Sequence, residues 1–184
     1  MMSSIALDGG LALRQLNASD APAIFQAICE DRTHLARWLP FVDATVKEGI
    51  GVTEAYVASV TEPPGCETKL VFAILQDDAF VGLIGLFGVD WDNGKAEMGY
   101  WLRERFLKKG IVTRSARCLI ERAFRNLGLN RISLRIAVGN SESRKVAERL
   151  GFTLEGVERD AERFPGGNFV DAEVFGLLAR EWRG

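Results

Sequence analysis

The stretch from Leu70 to Val138 constrains the fold of this chain more than any other. Three strand-like runs follow one another at hairpin spacing: Leu70–Gln76, Phe80–Val89 and Ala96–Arg103. Asp77-Asp78 and Asp92-Asn93-Gly94 separate them, and such sequences favour tight turns. The three runs are therefore expected to pair antiparallel. The hydrophobic period then changes. Across Gly110–Leu127 the residues Val112, Ala116, Leu119, Ala123 and Leu127 share one helical face, with Gly128 as the C-terminal stop. Arg131–Val138 returns to a strand pattern. A strand–helix–strand passage within one sheet closes right-handed and makes its two strands parallel. An otherwise antiparallel sheet is thus expected to contain one parallel pair.

The flanking segments complete the pattern. Leu11–Leu16 alternates as a half-buried strand does. Asn17–Asp20 offers capping residues, Pro22 suits a first helical turn, and Ile24, Ile28 and Leu35 follow at roughly helical spacing up to the break at Arg37–Phe41. A second helix is predicted over Val46–Val60, stopping before Pro63-Pro64-Gly65. Ser141–Leu150 reads as a short helix closed by Gly151, and Phe152–Glu158 and Phe169–Leu178 read as final strands joined across Pro165-Gly166-Gly167. Gly82, Gly85 and Gly88 inside one strand imply that other backbone approaches it closely. The expected class is α+β: a mixed, mostly antiparallel sheet with helices on both faces, in a single domain spanning residues 1–184.

Composition narrows the function classes. No apolar run is long enough to cross a bilayer, and Met1–Gly10 lacks the basic-then-apolar order of a secretory leader. The cysteines Cys29, Cys66 and Cys118 are odd in number and widely spaced, which fits buried thiols in a reducing cytosol better than a disulfide frame or zinc site. A cytoplasmic protein without a metal centre is expected, and the single histidine, His34, excludes any site needing several. Net charge is only −2, yet Arg103–Arg135 holds ten bases against Glu104 and Glu121. That asymmetry suits either an anionic partner or a solvated helix face.

The chemistry concentrates between Glu97 and Gly151. Lys108-Lys109-Gly110 leads straight into a helix, whose N-terminus exposes unpaired N–H groups and a positive partial charge. Gly110 allows close backbone approach and the lysines add charge, so the turn can bind a pyrophosphate. Neither a nucleotide P-loop nor a dinucleotide fingerprint is present. An acid-bearing strand, carrying Glu97, lies just upstream. If it alternates regularly, Glu97 and Gly99 share one face, and Met98 and Tyr100 the other.

Taken together, these pieces resemble the GNAT superfamily of acetyl-CoA-dependent N-acetyltransferases. Within it the chain looks most like the RimJ/RimL branch, which acetylates the N-termini of ribosomal proteins. The resemblance runs from Leu11 to Trp182 and rests on W-L-P-F at Trp38–Phe41, A-E-M-G-Y-W-L at Ala96–Leu102, K-G-I-V-T at Lys109–Thr113, L-N-R at Leu129–Arg131 and G-N-S-E-S-R-K-V-A-E-R-L-G-F at Gly139–Phe152. The tail E-G-V-E-R-D, with Asp171 beyond it, also fits. The family's [Q/R]-x-x-G-x-[G/A] motif falls on Leu107–Val112, where Gly110 matches while Leu107 and Val112 depart. The resemblance implies the GNAT fold, with acetyl-CoA as co-substrate. It places Trp101, Leu102 and Arg103 along the pantetheine arm, and Lys108, Lys109, Gly110, Ile111, Val112 and Thr113 at the pyrophosphate. Asn140 is implied as a further cofactor contact.

The reaction would be aminolysis of a thioester. A base must take a proton from the amine, directly or through water, and Glu97 is the candidate; the alternative for it is a structural carboxylate. A backbone N–H near Trp101, on a strand splayed from its parallel neighbour, would face the carbonyl oxygen. Many relatives protonate the departing thiolate with a Tyr on the following helix, but Ala147 holds that register here. Ser143 takes its place by the resemblance; otherwise its hydroxyl would be a helix cap, as Asn140 would also be. Trp38 and Tyr100 would line the acceptor pocket or pack in the core. His34 is read as structural rather than as a base, and Glu181-Trp182 as a packing anchor. Three functions stay open at this point: acetylation of a protein N-terminal amine, acetylation of a small amine, or a degenerate acetyl-CoA or nucleic-acid binding module. No membrane partner is expected, nucleic acid is disfavoured because no aromatic residues interleave the basic stretch, and a homodimer is left open.

Overall fold

The computed structural model describes residues 4–63 and 65–184. Residues 1–3, part of the stretch read for a leader, and Pro64 of the expected helix stop lie outside the described residues. The strands are β1 (Ser4–Ala6), β2 (Leu11–Gln15), β3 (Leu70–Gln76), β4 (Ala79–Asp90), β5 (Lys95–Leu102), β6 (Arg131–Ala137), β7 (Thr153–Arg163) and β8 (Phe169–Leu178). The helices are α1 (Ala21–Glu30), α2 (Arg32–Leu35), α3 (Val42–Glu48), α4 (Ile50–Thr61), α5 (Gly65–Thr68), α6 (Ile111–Arg125) and α7 (Ser141–Arg149). Among the described residues the strands form one sheet in the order β1-β2-β3-β4-β5-β6-β8-β7. Every neighbouring pair is antiparallel except β5 and β6.

Strand alternation sends residues to two different cores. From β3, Val71 and Ala73 pack with Ile24, Ile28, Val42 and Val57 of α1, α3 and α4. Their neighbours Phe72 and Ile74 point the other way, to Leu119, Ile120 and Ala123 of α6 and to Ala147 of α7. Helices therefore cover both faces. The alternation is strict because a sheet coated on both sides buries each neighbour in turn.

The parallel pair is short. Register runs Lys95↔Arg131, Ala96↔Ile132 and Glu97↔Ser133, and stops there. Beyond Glu97, β5 stays paired with β4 as far as Leu102, while β6 stays paired with β8 as far as Ala137. The two strands diverge, leaving a wedge between them.

The glycines of β4 divide into two kinds. A methyl added at Gly82 would meet the Trp101 carbonyl oxygen at 2.2 Å, and one at Gly85 would meet the Leu70 carbonyl oxygen at 3.0 Å, so close backbone approach holds at both. Gly88 has open space instead; its φ of 55° and the register shift between Phe87 and Asp90 mark an irregularity of the strand.

Several expectations need correction. The first helix is not continuous to Leu35: it ends at Glu30, and Asp31 (φ −103°, ψ 20°) starts a separate turn. The helix predicted over Val46–Val60 is two helices, because Gly49 at φ 90° lies in the left-handed region no α-helix crosses. The strand predicted over Phe152–Glu158 runs on to Arg163 through two register shifts, with Asp160 (φ 50°) held by a bond from its N–H to Asp171 Oδ1 at 2.9 Å. Such irregularity hides a strand from a period-two reading. β1 is too short to leave a pattern. None of the cysteines is a fully buried thiol: Cys29 is exposed, on the outer side of α1 opposite buried Ala27 and Ile28, while Cys66 and Cys118 are half-buried; all three are free.

Trp182 does pack against the main core, under the Arg117 guanidinium, while the Glu181 carboxylate accepts the Leu178 N–H at 3.0 Å. Among the described residues no helix is long and apolar enough to cross a membrane, and no cluster of metal-ligating side chains occurs.

Candidate active site

The wedge between β5 and β6 opens into a cleft of about 480 Å³. That is within the usual range of roughly 300–1,000 Å³ for small-molecule sites. Glu97, Tyr100, Trp101 and Leu102 line it from β5, and Leu134 and Ile136 from β6. Gly110–Thr113 and Asn140–Ser143, the starts of α6 and α7, line it as well. Trp38, Leu39, Pro40 and Phe41 contribute from the turn after α2, and Glu162 and Phe164 from the β7–β8 hairpin. Because β4 occupies only one edge of β5, alternate backbone N–H and C=O groups beyond Glu97 face the wedge without a strand partner.

The start of α6 has the geometry to hold an anion. Lys108 (φ 60°) and Gly110 (φ 71°) both adopt left-handed backbone, turning the chain sharply into the helix. The first N–H with a helical acceptor is that of Arg114, bonded to the Gly110 carbonyl at 3.0 Å. The N–H groups of Ile111, Val112 and Thr113 precede it, at the positive end of a fifteen-residue helix. A Cβ at Gly110 would meet nothing within 4 Å, so a bound group has room there. Leu107 and Val112 pack against the main core, which anchors the turn through buried apolar side chains. A pyrophosphate fits this arrangement.

Glu97 is the last residue of β5 paired with β6, at the apex of the wedge. Burial pushes its pKa up; Arg135 opposes the shift, and Glu162 and Glu158 add to it. Tyr100 is more deeply buried, and its hydroxyl pKa is pushed up to about 12, so the ring is a neutral wall at physiological pH. Its hydroxyl donates a long 3.5 Å bond to the backbone carbonyl of Ser143.

At α7 the capping question resolves in favour of Asn140. Its Oδ1 accepts the Ser143 N–H at 3.2 Å, so Ser143 gives its amide to the cap rather than its hydroxyl. Ser143 is half-buried and lines the cleft, whereas Ala147, one turn later, is fully buried in the main core and does not.

The acetyltransferase (GNAT) domain family matches residues 11–153. This chain belongs to the GNAT family. As a GNAT N-acetyltransferase it is 36% identical over 179 residues to YdaF of Bacillus subtilis (strain 168), a ribosomal N-acetyltransferase by its provisional name, covering 95% of this chain and 94% of that one. It is 28% identical to the ribosomal-protein-serine acetyltransferase of Escherichia coli (strain K12), covering 88% and 89% of the two chains. Its backbone superimposes on RimL, a ribosomal L7/L12 alpha-N-protein acetyltransferase solved with coenzyme A, with a TM-score of 0.88 at 25% identity, over 96% of this chain and 98% of that one.

Most residues singled out in the sequence meet in the cleft of this GNAT fold: Glu97, Tyr100, Trp101, Leu102, Lys108, Gly110, Ile111, Val112, Thr113, Asn140, Ser143 and Trp38. His34 joins them on the α2 side. Two cofactor candidates do not. Lys109 lies over the Phe106 ring, with Nζ 5.2 Å from its centroid. Arg103 turns its side chain away, donating from Nε to Asp31 Oδ2 at 2.8 Å and from Nη2 to Glu30. Glu162 and Phe164 were missed because the sequence pattern of β7 fades at its irregular middle. Of the ten bases noted above, Arg103, Arg125, Arg131 and Arg135 are spent on ion pairs with Glu30 and Asp31, Glu121, Glu155 and Glu158 respectively. These four bases of the segment therefore serve internal ion pairs.

Proposed function

We propose that this GNAT enzyme transfers an acetyl group from acetyl-CoA to the N-terminal amine of a protein substrate. One observation carries the reading: a single cleft joins the open N-terminus of α6, the unpaired edge of β5, a carboxylate at the wedge apex and the Ser143 hydroxyl. The protein acceptor is supported by the ribosomal-protein substrates named for the E. coli relative and for RimL. In this reading the N–H groups of Ile111, Val112 and Thr113 hold the pyrophosphate, and Trp101 and Leu102 border the pantetheine arm.

The chemistry follows from that placement. The amine nitrogen attacks the thioester carbon, and Glu97 takes the amine proton directly or through water. A carboxylate whose pKa is raised by burial is a stronger base than an exposed one. An inward-facing N–H of β5 near Trp101 stabilises the oxyanion. As the new C–N bond holds and the C–S bond breaks, the Ser143 hydroxyl gives its proton to the sulfur and regains one from solvent. Trp38 and Tyr100 bound the acceptor side.

Glu162, on the exposed β7 strand, and Glu142, on α7, add two more carboxylates at the cleft, and they favour an acceptor carrying positive charge. That leaves a small polyamine-like acceptor as the competing reading. A thiol-release assay with acetyl-CoA, run against N-terminal peptides and against small amines, separates the two. Peptide turnover with small amines inert is expected; the reverse pattern overturns the protein acceptor, and no thermal stabilisation by saturating acetyl-CoA overturns the cofactor.

A further inference from the structure

Arg103 immediately follows the strand that borders the cleft, yet its side chain is about nine-tenths buried on the far side of that border. Its backbone N–H donates to the Val81 carbonyl at 2.9 Å, which fixes the end of β5 to β4. Its guanidinium spans the junction between α1 and α2, donating to Glu30 at the last residue of α1 and to Asp31 between the helices. Asp31 is well suited to cap α2, but it makes no capping bond; its carboxylate faces Arg103 instead. The two acids also sit at the negative end of α1, where the helix dipole disfavours them and a cation is favoured. Arg103 supplies that cation, and Arg105 lies near enough to act on Glu30 as well.

The consequence lies downstream. α2 and the turn behind it carry His34, Trp38, Leu39, Pro40 and Phe41, the wall of the cleft opposite α6 and α7. That wall springs from Asp31, and Asp31 is pinned to the end of the strand carrying Trp101 and Leu102. We infer that Arg103 is a positioning residue for the acceptor: through Asp31 and Glu30 it sets the spacing between the α2 wall and β5, and with it the fit of the amine substrate. It does not itself line the cleft. This inference rests on the acetyl-transfer reading above and names what holds the acceptor side of that site in place.

The test uses the full chain as Arg103→Gln and, separately, as Asp31→Asn, which keeps Arg103 and its bond to Glu30. In both variants the acceptor KM should rise about tenfold while the Kd for acetyl-CoA, measured by calorimetry without turnover, stays within about twofold. Hydrogen exchange should quicken across residues 31–41 and not across 111–125. The double variant should be no worse than Arg103→Gln alone, since that change already removes the pair Asp31→Asn breaks. An unchanged acceptor KM in a folded variant overturns the inference. So does a loss of acetyl-CoA affinity, which would return Arg103 to the cofactor arm. If the wild-type protein turns over none of the amines, it is the acetyl-transfer reading that fails, and the exchange pattern alone then decides whether Arg103 holds the wall.

Discussion

Gly82 has no side chain, and the space a methyl group would need is filled by the backbone of β5. A Cβ there would lie 2.2 Å from the Trp101 carbonyl oxygen and 3.0 Å from Leu102 Cα, against an ordinary carbon–oxygen contact of roughly 3.3 Å. Relief of Gly82→Ala therefore requires β4 and β5 to part by about 1 Å at their closest point. Backbone dihedrals add nothing, since Gly82 is not among the positive-φ glycines. Overpacking costs about 1–3 kcal/mol, and the upper end applies because the obstacle is paired backbone rather than a side chain that can swing away. For a chain of this size that lowers the melting temperature by roughly 6–12 °C. Trp101 and Leu102 also line the cleft, so acetyl-CoA affinity should fall with stability. Gly88→Ala is the control: it meets nothing within 4 Å but must hold φ near 55°, at a cost of about 1 kcal/mol. Thermal melts and calorimetric titration with acetyl-CoA measure both variants. Gly82→Ala melting at or above Gly88→Ala, with wild-type affinity, would refute the packing argument.

Other predictions concern the cleft directly. Glu97→Gln should lower kcat/KM by roughly 10²–10⁴-fold and remove the acidic limb of the pH–rate profile; an unaltered limb argues for Glu162, checked by Glu162→Gln. The same variant should gain stability at neutral pH. The folded state raises the Glu97 pKa, so the stabilisation its neutral form provides is complete below the ordinary carboxylate range and is lost as pH rises through the raised value. The amide escapes that loss, and melts across pH should show its advantage vanishing in acid. Ser143→Ala should cut kcat while leaving acetyl-CoA binding and the α7 cap intact, because the cap uses the Ser143 amide; unchanged turnover removes Ser143 from the chemistry. Gly110→Ala should weaken acetyl-CoA binding about fivefold, matching about 1 kcal/mol of left-handed strain, with little change in kcat; equal affinity in a titration would show that the turn does not carry the grip.

The sheet's central order of hairpins and crossover was legible in the sequence alone. Those signals are local: period two, turn residues at Asp77-Asp78 and Asn93-Gly94, then period 3.6 across α6. The turn into α6 was equally legible, since a Gly at a helix start is a backbone property that neighbours seldom alter. Tertiary structure decided what distant segments do to one another. Gly49 splits a stretch whose apolar pattern reads as one helix, and irregularities at Asp160 carry β7 past its sequence signal to bring Glu162 to the cleft. Arg103 adjoins β5 in sequence, yet its charge goes to Glu30 and Asp31, which lie more than seventy positions away. Ser143 and Ala147 are one helical turn apart, and only the packing of α7 on the sheet sends one to the cleft and the other to the core. A side chain's direction depends on which surface its element buries, and that surface exists only once the whole sheet has assembled.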